Sequence, residues 1–160
     1  CCNPELLIAD EPTTALDLTI QAQVLNLLRS LQKELSLTII LITHNFALVT
    51  ENCDNASVMY AGRIVETAPV RDIIKSPRHP YTKALINCIP RPGSHNDGRR
   101  AKLPVIPGSP PRLYEPAKAC PFIPRCQTAD DACTQMPLPF DLGGGRSVCC
   151  HRISEESGVC

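Results

Sequence analysis

Asp10 and Glu11 are adjacent acidic residues that follow a run of four apolar residues and precede a Pro-Thr-Thr turn. An unbroken apolar run of this length is typical of a strand buried on both faces of a parallel α/β sheet. Ligands bind beyond the carboxyl ends of such strands. There, Asp10 can hold Mg²⁺ through water, and Glu11 can polarise a water that attacks a phosphoryl group. An isolated acidic pair is more often a solvated turn, but the ordered residues around this one favour phosphoryl chemistry.

A helix and a second strand are predicted to position these acids. Asp17 is a suitable N-cap for a helix over Leu18 to Leu35. We expect its core-facing stripe to consist of Ile20, Val24, Leu27, Leu28, Leu31 and Leu35. A second buried strand follows over Leu37 to Thr43, so the order strand–helix–strand predicts a right-handed βαβ unit. His44 then lies at the same edge of the sheet as the acids.

Shorter elements follow His44. We expect a helix over Phe46 to Cys53, capped by Asn45, and a hairpin of two strands around Ala61 and Gly62. Pro69 is predicted to open a short helix that runs to about Lys75. We interpret His79, in the proline-rich turn after this helix, as a capping or packing residue and not as a ligand.

Charge and composition exclude several functions. The 160 residues carry 16 basic and 16 acidic side chains, so the formal net charge is zero and no strong footprint for nucleic acid is present. No apolar run reaches the length of a transmembrane helix. In a secreted chain ten cysteines would suggest disulfides, but no secretory signal peptide is visible, and in a reducing compartment clustered cysteines more often bind metal.

The composition shifts after Pro90, beyond which ten of the 16 prolines and seven of the eight glycines lie. Residues 91–118 are therefore predicted to be an extended linker. Residues 119–160 have too few apolar side chains for a core of their own, so they need a staple. Five cysteines fall in this last segment before its final ten residues, namely Cys120, Cys126, Cys133, Cys149 and Cys150. Their spacing alone leaves an iron–sulfur cluster, zinc, disulfides and no metal open.

Four stretches together resemble one family. Residues 6–17 resemble the Walker B strand, catalytic glutamate and D-loop of ABC-transporter ATPases, and Ile42-Thr43-His44 resembles their H-loop. Residues 58–66 resemble the end of the nucleotide-binding core. The sequence His79-Pro80-Tyr81-Thr82 resembles an element that follows this core in the ATP-binding subunits of bacterial dipeptide/oligopeptide (and nickel) importers.

The resemblance implies an α/β fold, the C-terminal part of a P-loop NTPase core with parallel strands, followed by a proline-rich linker and a cysteine-rich metal-binding tail. The implied domains are residues 1–67 as part of the nucleotide-binding domain, 68–118 as a family-specific helical extension and linker, and 119–160 as the cysteine-rich segment. It implies ATP and Mg²⁺ as ligands. Asp10 organises Mg²⁺, Glu11 polarises water, His44 contacts the γ-phosphate, and Asp17 in the D-loop communicates across a dimer.

The implied partners are a second ABC ATPase subunit, two transmembrane permease subunits and, indirectly, a peptide-binding protein, with no nucleic acid. The implied location is the cytoplasmic face of the plasma membrane, as a peripheral protein. The family's C-terminal cysteine motif, which holds a [4Fe–4S] cluster in some members, implies Cys120, Cys126, Cys133 and Cys150 as ligands. Cys149 is an alternative ligand, and Zn²⁺ is the alternative metal.

Two motifs of the family do not occur in these residues, the glycine-rich phosphate loop and the Ser-Gly-Gly-Gln signature. We expect both to lie upstream of residue 1, so that this fragment alone has no ATPase activity. Two other functions stay open at this point. One is a non-enzymatic, metal-binding regulatory or docking module, and the other is an ABC ATPase of another kind, against which residues 79–82 and the cysteines count.

Overall fold

A computed structural model describes residues 4–89, 105–112 and 117–153. The strands are β1 (Leu6–Asp10), β2 (Thr38–Ile42), β3 (Asn55–Tyr60), β4 (Arg63–Pro69), β5 (Phe140–Gly143) and β6 (Arg146–Val148). The helices are α1 (Leu18–Leu35), α2 (Phe46–Asn52), α3 (Val70–Lys75) and α4 (Pro80–Asn87), with two short 3₁₀ turns at Ile123–Arg125 and Asp131–Thr134. The α/β chain divides into two compact units, Cys1–Cys53 and Asp54–Cys160.

In the first unit, β1 and β2 pair in parallel, from Leu6 opposite Thr38 to Asp10 opposite Ile42. The long helix α1 connects them, with the bounds that the sequence predicts. Its N-cap is Asp17, also as predicted, and its C-cap Ser36 adopts a left-handed conformation with φ 52°. The next helix, α2, is capped by Asn45, whose side chain accepts a hydrogen bond from the backbone N–H of Ala47.

Burial in this first unit differs from the prediction. Only Ala9 of β1 is buried, whereas Leu6 and Ile8 are 46% and 60% exposed. Within the described residues the two strands pair only with each other, so they do not form the interior of a wide sheet. The predicted stripe of α1 is also partly wrong, because Leu25 is its buried residue while Ile20, Leu27 and Leu35 are exposed. The helix buries a narrower arc than its apolar pattern suggests.

The second unit contains a four-stranded antiparallel sheet in the order β3-β4-β6-β5. The predicted β3–β4 hairpin is confirmed, and its turn residues Ala61 and Gly62 both have positive φ, at 50° and 75°. This matches a type I′ turn, whose twist suits adjacent strands. The short helix α3 begins directly after Pro69, as predicted, and buries Ile73 completely.

The C-terminal segment joins this sheet through β6, where Val148 lies opposite Glu66 and Ser147 opposite Thr67. The backbone N–H of Cys149 extends the ladder by donating to the Val65 carbonyl at 2.8 Å. Phe122 packs its ring 5.2 Å from that of Tyr60 and 5.4 Å from that of Tyr81. The segment after residue 119 therefore shares the core of β3 and β4, and sheet pairing supplies a staple that the sequence did not reveal.

Most of the predicted linker lies outside the described residues. Its residues 105–112 contain no helix or strand. They are held by Arg125, whose guanidinium donates to the carbonyls of Pro107 at 2.8 Å and Ile106 at 3.1 Å. None of the described helices is long and apolar enough to cross a membrane.

Candidate functional site

The first site lies where β1 and β2 end. The backbone N–H of Glu11 donates to the Ile42 carbonyl at 2.9 Å, which extends the parallel pairing by one residue. Glu11 has a left-handed backbone, with φ 46°, and this turns the chain sharply after the strand. The two strand ends thereby bring Glu11 and His44 together across 33 residues of sequence.

Both oxygens of the Glu11 carboxylate are engaged. Oε1 lies 2.7 Å from His44 Nδ1 and accepts the backbone N–H of His44 at 3.1 Å. Oε2 accepts the hydroxyl of Thr14 at 2.8 Å. The Thr14 hydroxyl and then His44 lower the pKa of Glu11 below its ordinary value, so the group is a carboxylate at neutral pH.

This pairing constrains the imidazole. Because an ionised carboxylate can only accept hydrogen bonds, Nδ1 of His44 is the donor in their contact. The side chain is 82% exposed, and it presents its other nitrogen, Nε2, to solvent or to a ligand. The site can therefore offer a carboxylate and an imidazole edge that are held together.

The other two predicted residues lie on neighbouring backbone. Asp10 is the last residue of β1 and is exposed. Asp17 uses Oδ1 to accept the backbone N–H groups of Thr19 and Ile20, both at 2.9 Å, at the start of α1. The structure thus places Asp10, Glu11 and His44 at the carboxyl ends of β1 and β2. Asp17 is the N-cap residue of α1.

The second site is a cavity in the second unit. Its lining includes Cys120, Cys126, Cys133 and Cys150, the four cysteines predicted as ligands, and Cys149 is not among the lining residues. The backbone N–H of Cys120 donates to the Cys133 carbonyl at 3.1 Å, which ties the segment before the first 3₁₀ turn to the second turn. Residues that are 30 apart in sequence, Cys120 and Cys150, therefore border one space.

Burial controls the protonation of these thiols. It raises the pKa of Cys120 and Cys133, and it raises the pKa of Cys150 to about 11, with the neighbouring cysteines adding to the effect. Without a bound cation these groups are neutral thiols at pH 7. A cation would displace their protons, because the thiolate is the metal ligand.

The donor set has the chemistry of a metal site but not the spacing of a single-ion site. In the described part of the chain, no three Cys, His, Asp or Glu side chains are grouped closely enough to hold one ion. In a cubane cluster each of the four thiolates would bind a different iron atom.

Sequence reasoning missed one buried group near this cavity. Glu66 is 2% exposed, and its carboxylate accepts the backbone N–H groups of Arg78 at 2.8 Å and His79 at 2.9 Å. A bulge opposite Val58 and Met59 breaks the alternation of β4, so Val65 and Glu66 are both buried. A two-residue alternation rule gives no signal for this carboxylate.

His79 is placed by the same contacts. Its ring is 1% exposed and caps α4, because Nδ1 accepts the backbone N–H of Tyr81 at 3.0 Å. Burial lowers the pKa of His79 to about 4, so the imidazole is neutral at pH 7. The prediction of a capping or packing residue is confirmed. His79 also lines the cysteine cavity, which the sequence did not indicate.

Comparison with known proteins identifies related sequences. Residues 65–133 match the family "Oligopeptide/dipeptide transporter, C-terminal region". The chain is 47% identical over 155 residues to a probable peptide ABC transporter ATP-binding protein, y4tR, of Sinorhizobium fredii, covering 96% of this chain and 45% of that protein. It is 45% identical over 155 residues to the oligopeptide transport ATP-binding protein OppD of Salmonella typhimurium, covering 97% of this chain and 45% of that protein.

A solved structure also matches part of the chain. It is cbiO1 from Clostridium perfringens, described as part of the ABC transporter complex cbiONQ. The match has 38% sequence identity and a TM-score of 0.42, and it covers 46% of this chain and 29% of that one. The chain spans about half the length of the curated relatives that it matches. The family resemblance is confirmed: along nearly its whole length, this chain is related in sequence to the ATP-binding proteins of oligopeptide and dipeptide ABC transporters.

Proposed function

We propose that this chain is the C-terminal part of an ATP-hydrolysing subunit that powers peptide import. The observation that carries the proposal is the Glu11–His44 contact of 2.7 Å at the ends of two parallel strands. A carboxylate held ionised by two donors is suited to polarise a water for attack on a phosphoryl group. The names of the relatives, peptide and oligopeptide transport ATP-binding proteins, supply the substrate class.

In the proposed mechanism each residue has one task. Asp10 would hold Mg²⁺ at the end of β1, and the ion would supply charge to neutralise the phosphate oxygens. Glu11 orients the attacking water. His44 uses Nε2 to contact the γ-phosphate, and because Nδ1 already donates to Glu11, it carries both protons when Nε2 donates to a phosphate oxygen. Asp17 helps to communicate across a dimer from the start of α1.

The proposed assembly follows the family. A second ABC ATPase subunit completes the nucleotide site, two permease subunits form the path through the membrane, and a peptide-binding protein delivers the solute. The subunit works peripherally, at the cytoplasmic face of the plasma membrane. In this scheme residues 1–67 complete the nucleotide-binding domain, residues 68–118 are the extension and linker, and residues 119–160 are the cysteine-rich segment.

We also propose that the cysteine cavity holds a [4Fe–4S] cluster through Cys120, Cys126, Cys133 and Cys150, with Zn²⁺ as the alternative and Cys149 as a substitute ligand. The four thiols that border one cavity support this proposal. Such a cluster would add four covalent anchors to a segment whose sheet pairing with β4 is only two residues long.

The test of the cysteine site is metal analysis of anaerobically purified protein. We expect about four irons and four acid-labile sulfides per chain, and their loss in Cys126→Ser. Cys88→Ser is the matched control, since Cys88 ends α4 and does not line the cavity. Stoichiometric zinc without iron would show that the site is the alternative Zn²⁺ site and not a cluster. Freely titrating thiols with no metal would contradict both forms of the site.

The test of the enzymatic proposal uses the same protein. Because this stretch contains no phosphate loop, we expect no Mg²⁺-dependent ATP hydrolysis from residues 1–160 alone. Turnover that disappears in Glu11→Gln would contradict this expectation. In the longer subunit, Glu11→Gln should abolish hydrolysis while ATP binding is retained. If cysteine substitutions abolished transport while leaving hydrolysis and folding intact, the docking or regulatory function would be favoured.

A further inference from the structure

The cysteine cavity has a fifth polar contributor from a different part of the chain. His79, at the N-terminus of α4, lines the same cavity as the four cysteines. The ring is 1% exposed and packs at 6.0 Å, centroid to centroid, from Phe122, which also lines the cavity. His79 and Pro80 are therefore part of the wall around the thiols.

The hydrogen bonds of His79 determine its tautomer. Nδ1 accepts the backbone N–H of Tyr81, so the proton of the neutral ring is on Nε2. The backbone is held as well, because the His79 N–H donates to the buried Glu66 carboxylate at 2.9 Å. With both of these sites engaged, Nε2–H is the donor that the side chain has left to offer.

Three other polar residues of the cavity wall have hydrogen-bond partners in the structure. His151 Nε2 lies 3.2 Å from the Gln135 carbonyl, and the Arg152 guanidinium donates to Asp130 at 3.1 Å. Thr128 Oγ1 lies 3.4 Å from the sulfur of Cys126, so it is already paired with a thiol. His79 differs from them in being 1% exposed and held at both its backbone N–H and its Nδ1, so it is a buried and rigidly placed N–H donor in this wall.

We propose that His79 is a positioning residue whose Nε2–H donates a hydrogen bond to a sulfur of the cluster in the cysteine cavity. This inference rests on the iron–sulfur site proposed above. A hydrogen bond to sulfur stabilises the more negative, reduced state of a cluster, so it raises the reduction potential. His79 would therefore set the potential of the cluster without ligating iron.

His79→Asn separates this role from the helix cap. Asn is a strong N-cap residue, and its side-chain oxygen can accept the Tyr81 N–H in place of Nδ1, but it has no group at the Nε2 position. Phe122→Leu is the matched control, because it changes the packing of the same wall without removing a donor. Iron and sulfide are determined first, and the midpoint potential is then measured by an anaerobic optical and EPR titration.

We expect His79→Asn to retain iron and to be reduced less readily by about tenfold in equilibrium constant, which is 59 mV for a one-electron couple. Phe122→Leu should keep the wild-type potential. Equal potentials in wild type and His79→Asn, with full iron in both, would overturn the inference and leave the cluster in place. A wild-type protein without iron would overturn the cluster and the inference together.

If His79→Asn loses its iron, its reduction potential cannot be measured, and a second variant then tests the hydrogen bond. The longer side chain of His79→Gln can bring an amide N–H to the position of Nε2–H, so it should retain iron with a potential near that of the wild type. Retention in His79→Gln with loss in His79→Asn would support the hydrogen bond. Loss of iron and of the circular dichroism spectrum in both variants would show a purely structural role and overturn the inference.

Discussion

The Glu11–His44 pair lies at the ends of two strands whose apolar side chains are largely exposed, whereas the four cysteines border a cavity in a well-packed core. In the first unit, the buried apolar residues within the described part are Ala9, Leu25, Leu37 and Leu48. In the second unit, they include Tyr60, Val65, Ala68, Val70, Ile73, Phe122, Val148 and Ile153. Apolar packing can therefore hold the cysteines in place, whereas the Glu11–His44 pair must be positioned mainly by other interactions.

In the first unit, the local backbone conformation of the turn after β1 determines where the Glu11 carboxylate lies. Glu11 and Ala15 have left-handed φ angles of 46° and 63°, and such residues cost of order 1–3 kcal/mol each. The turn between them is closed by the Thr14 N–H bond to the Glu11 carbonyl at 3.1 Å and by the Thr14 hydroxyl. A strained turn after a strand needs little core to aim its carboxylate, but it needs a partner strand.

The largest expected effect comes from matched truncations in the two units. Ile73→Ala removes a fully buried side chain and should lower the free energy of unfolding of the second unit by about 2–5 kcal/mol. Ile8→Ala, at a side chain that is 60% exposed, should cost less than about 1 kcal/mol. Hydrogen exchange resolved by region at increasing urea measures both. Equal losses in the two variants would remove the contrast between the units.

Acid should also act on the two units in different pH ranges. Unfolded His79 binds its proton near pH 6.5 but folded His79 only near pH 4, so the unfolded state takes up the proton first. The second unit should therefore lose about 3 kcal/mol of stability as the pH falls from 6.5 to 4. The first unit should keep the contribution of Glu11 until the pH falls below the ordinary carboxyl value of 4.5, because its folded pKa is lower still.

Variants test this assignment at equal metal content. His79→Asn should flatten the pH dependence of the second unit between pH 6.5 and 4, measured by urea unfolding at each pH. His44→Asn is the matched control at a histidine that is 82% exposed, and it should leave that slope unchanged. A slope that persists in His79→Asn would assign the acid sensitivity to other groups.

The smallest expected effect sharpens the picture of the first unit. Ser36 ends α1 in a left-handed conformation with φ 52°. Glycine is favoured there, so Ser36→Gly should stabilise this unit by about 0.5–1 kcal/mol in region-resolved exchange. Ser36→Ala keeps the Cβ atom and should give no gain. A gain in Ser36→Ala but not in Ser36→Gly would point to helix propensity and not to backbone strain.

The sequence predicted elements better than burial. The bounds of α1 and the caps Asp17 and Asn45 were correct, because capping side chains and helical periodicity are local signals. Burial of β1 and of Leu27 was wrong, since it depends on which surfaces meet. The β5–β6 hairpin was missed because its strands have only four and three residues. The consecutive glycines 143–145 were the available signal for its turn.

The candidate sites show the same division. The proximity of Glu11 and His44 follows from the rule that parallel strands end at one edge, and the structure has this contact. The clustering of cysteines in the last segment indicated that four thiols could meet, the resemblance implied which four, and their roles stay predictions. The burial of Glu66 and the place of His79 in the cavity wall had no sequence signal, because a β-bulge and contacts between distant segments create them.

The pairing of β4 with β6 cannot form until both strands have been synthesised. Glu66 leaves the ribosome long before Val148, its partner, which lies about 80 residues later and takes roughly 4–16 s to follow at ordinary elongation rates. During that interval the hydrogen-bonding edge of β4 that β6 later occupies has no native strand beside it. Such an edge is a template for pairing with other chains. The sheet of the nascent protein therefore stays incomplete until β6 has been made. Ribosome stalling within residues 70–147 should favour aggregation more than stalling before β4 is made.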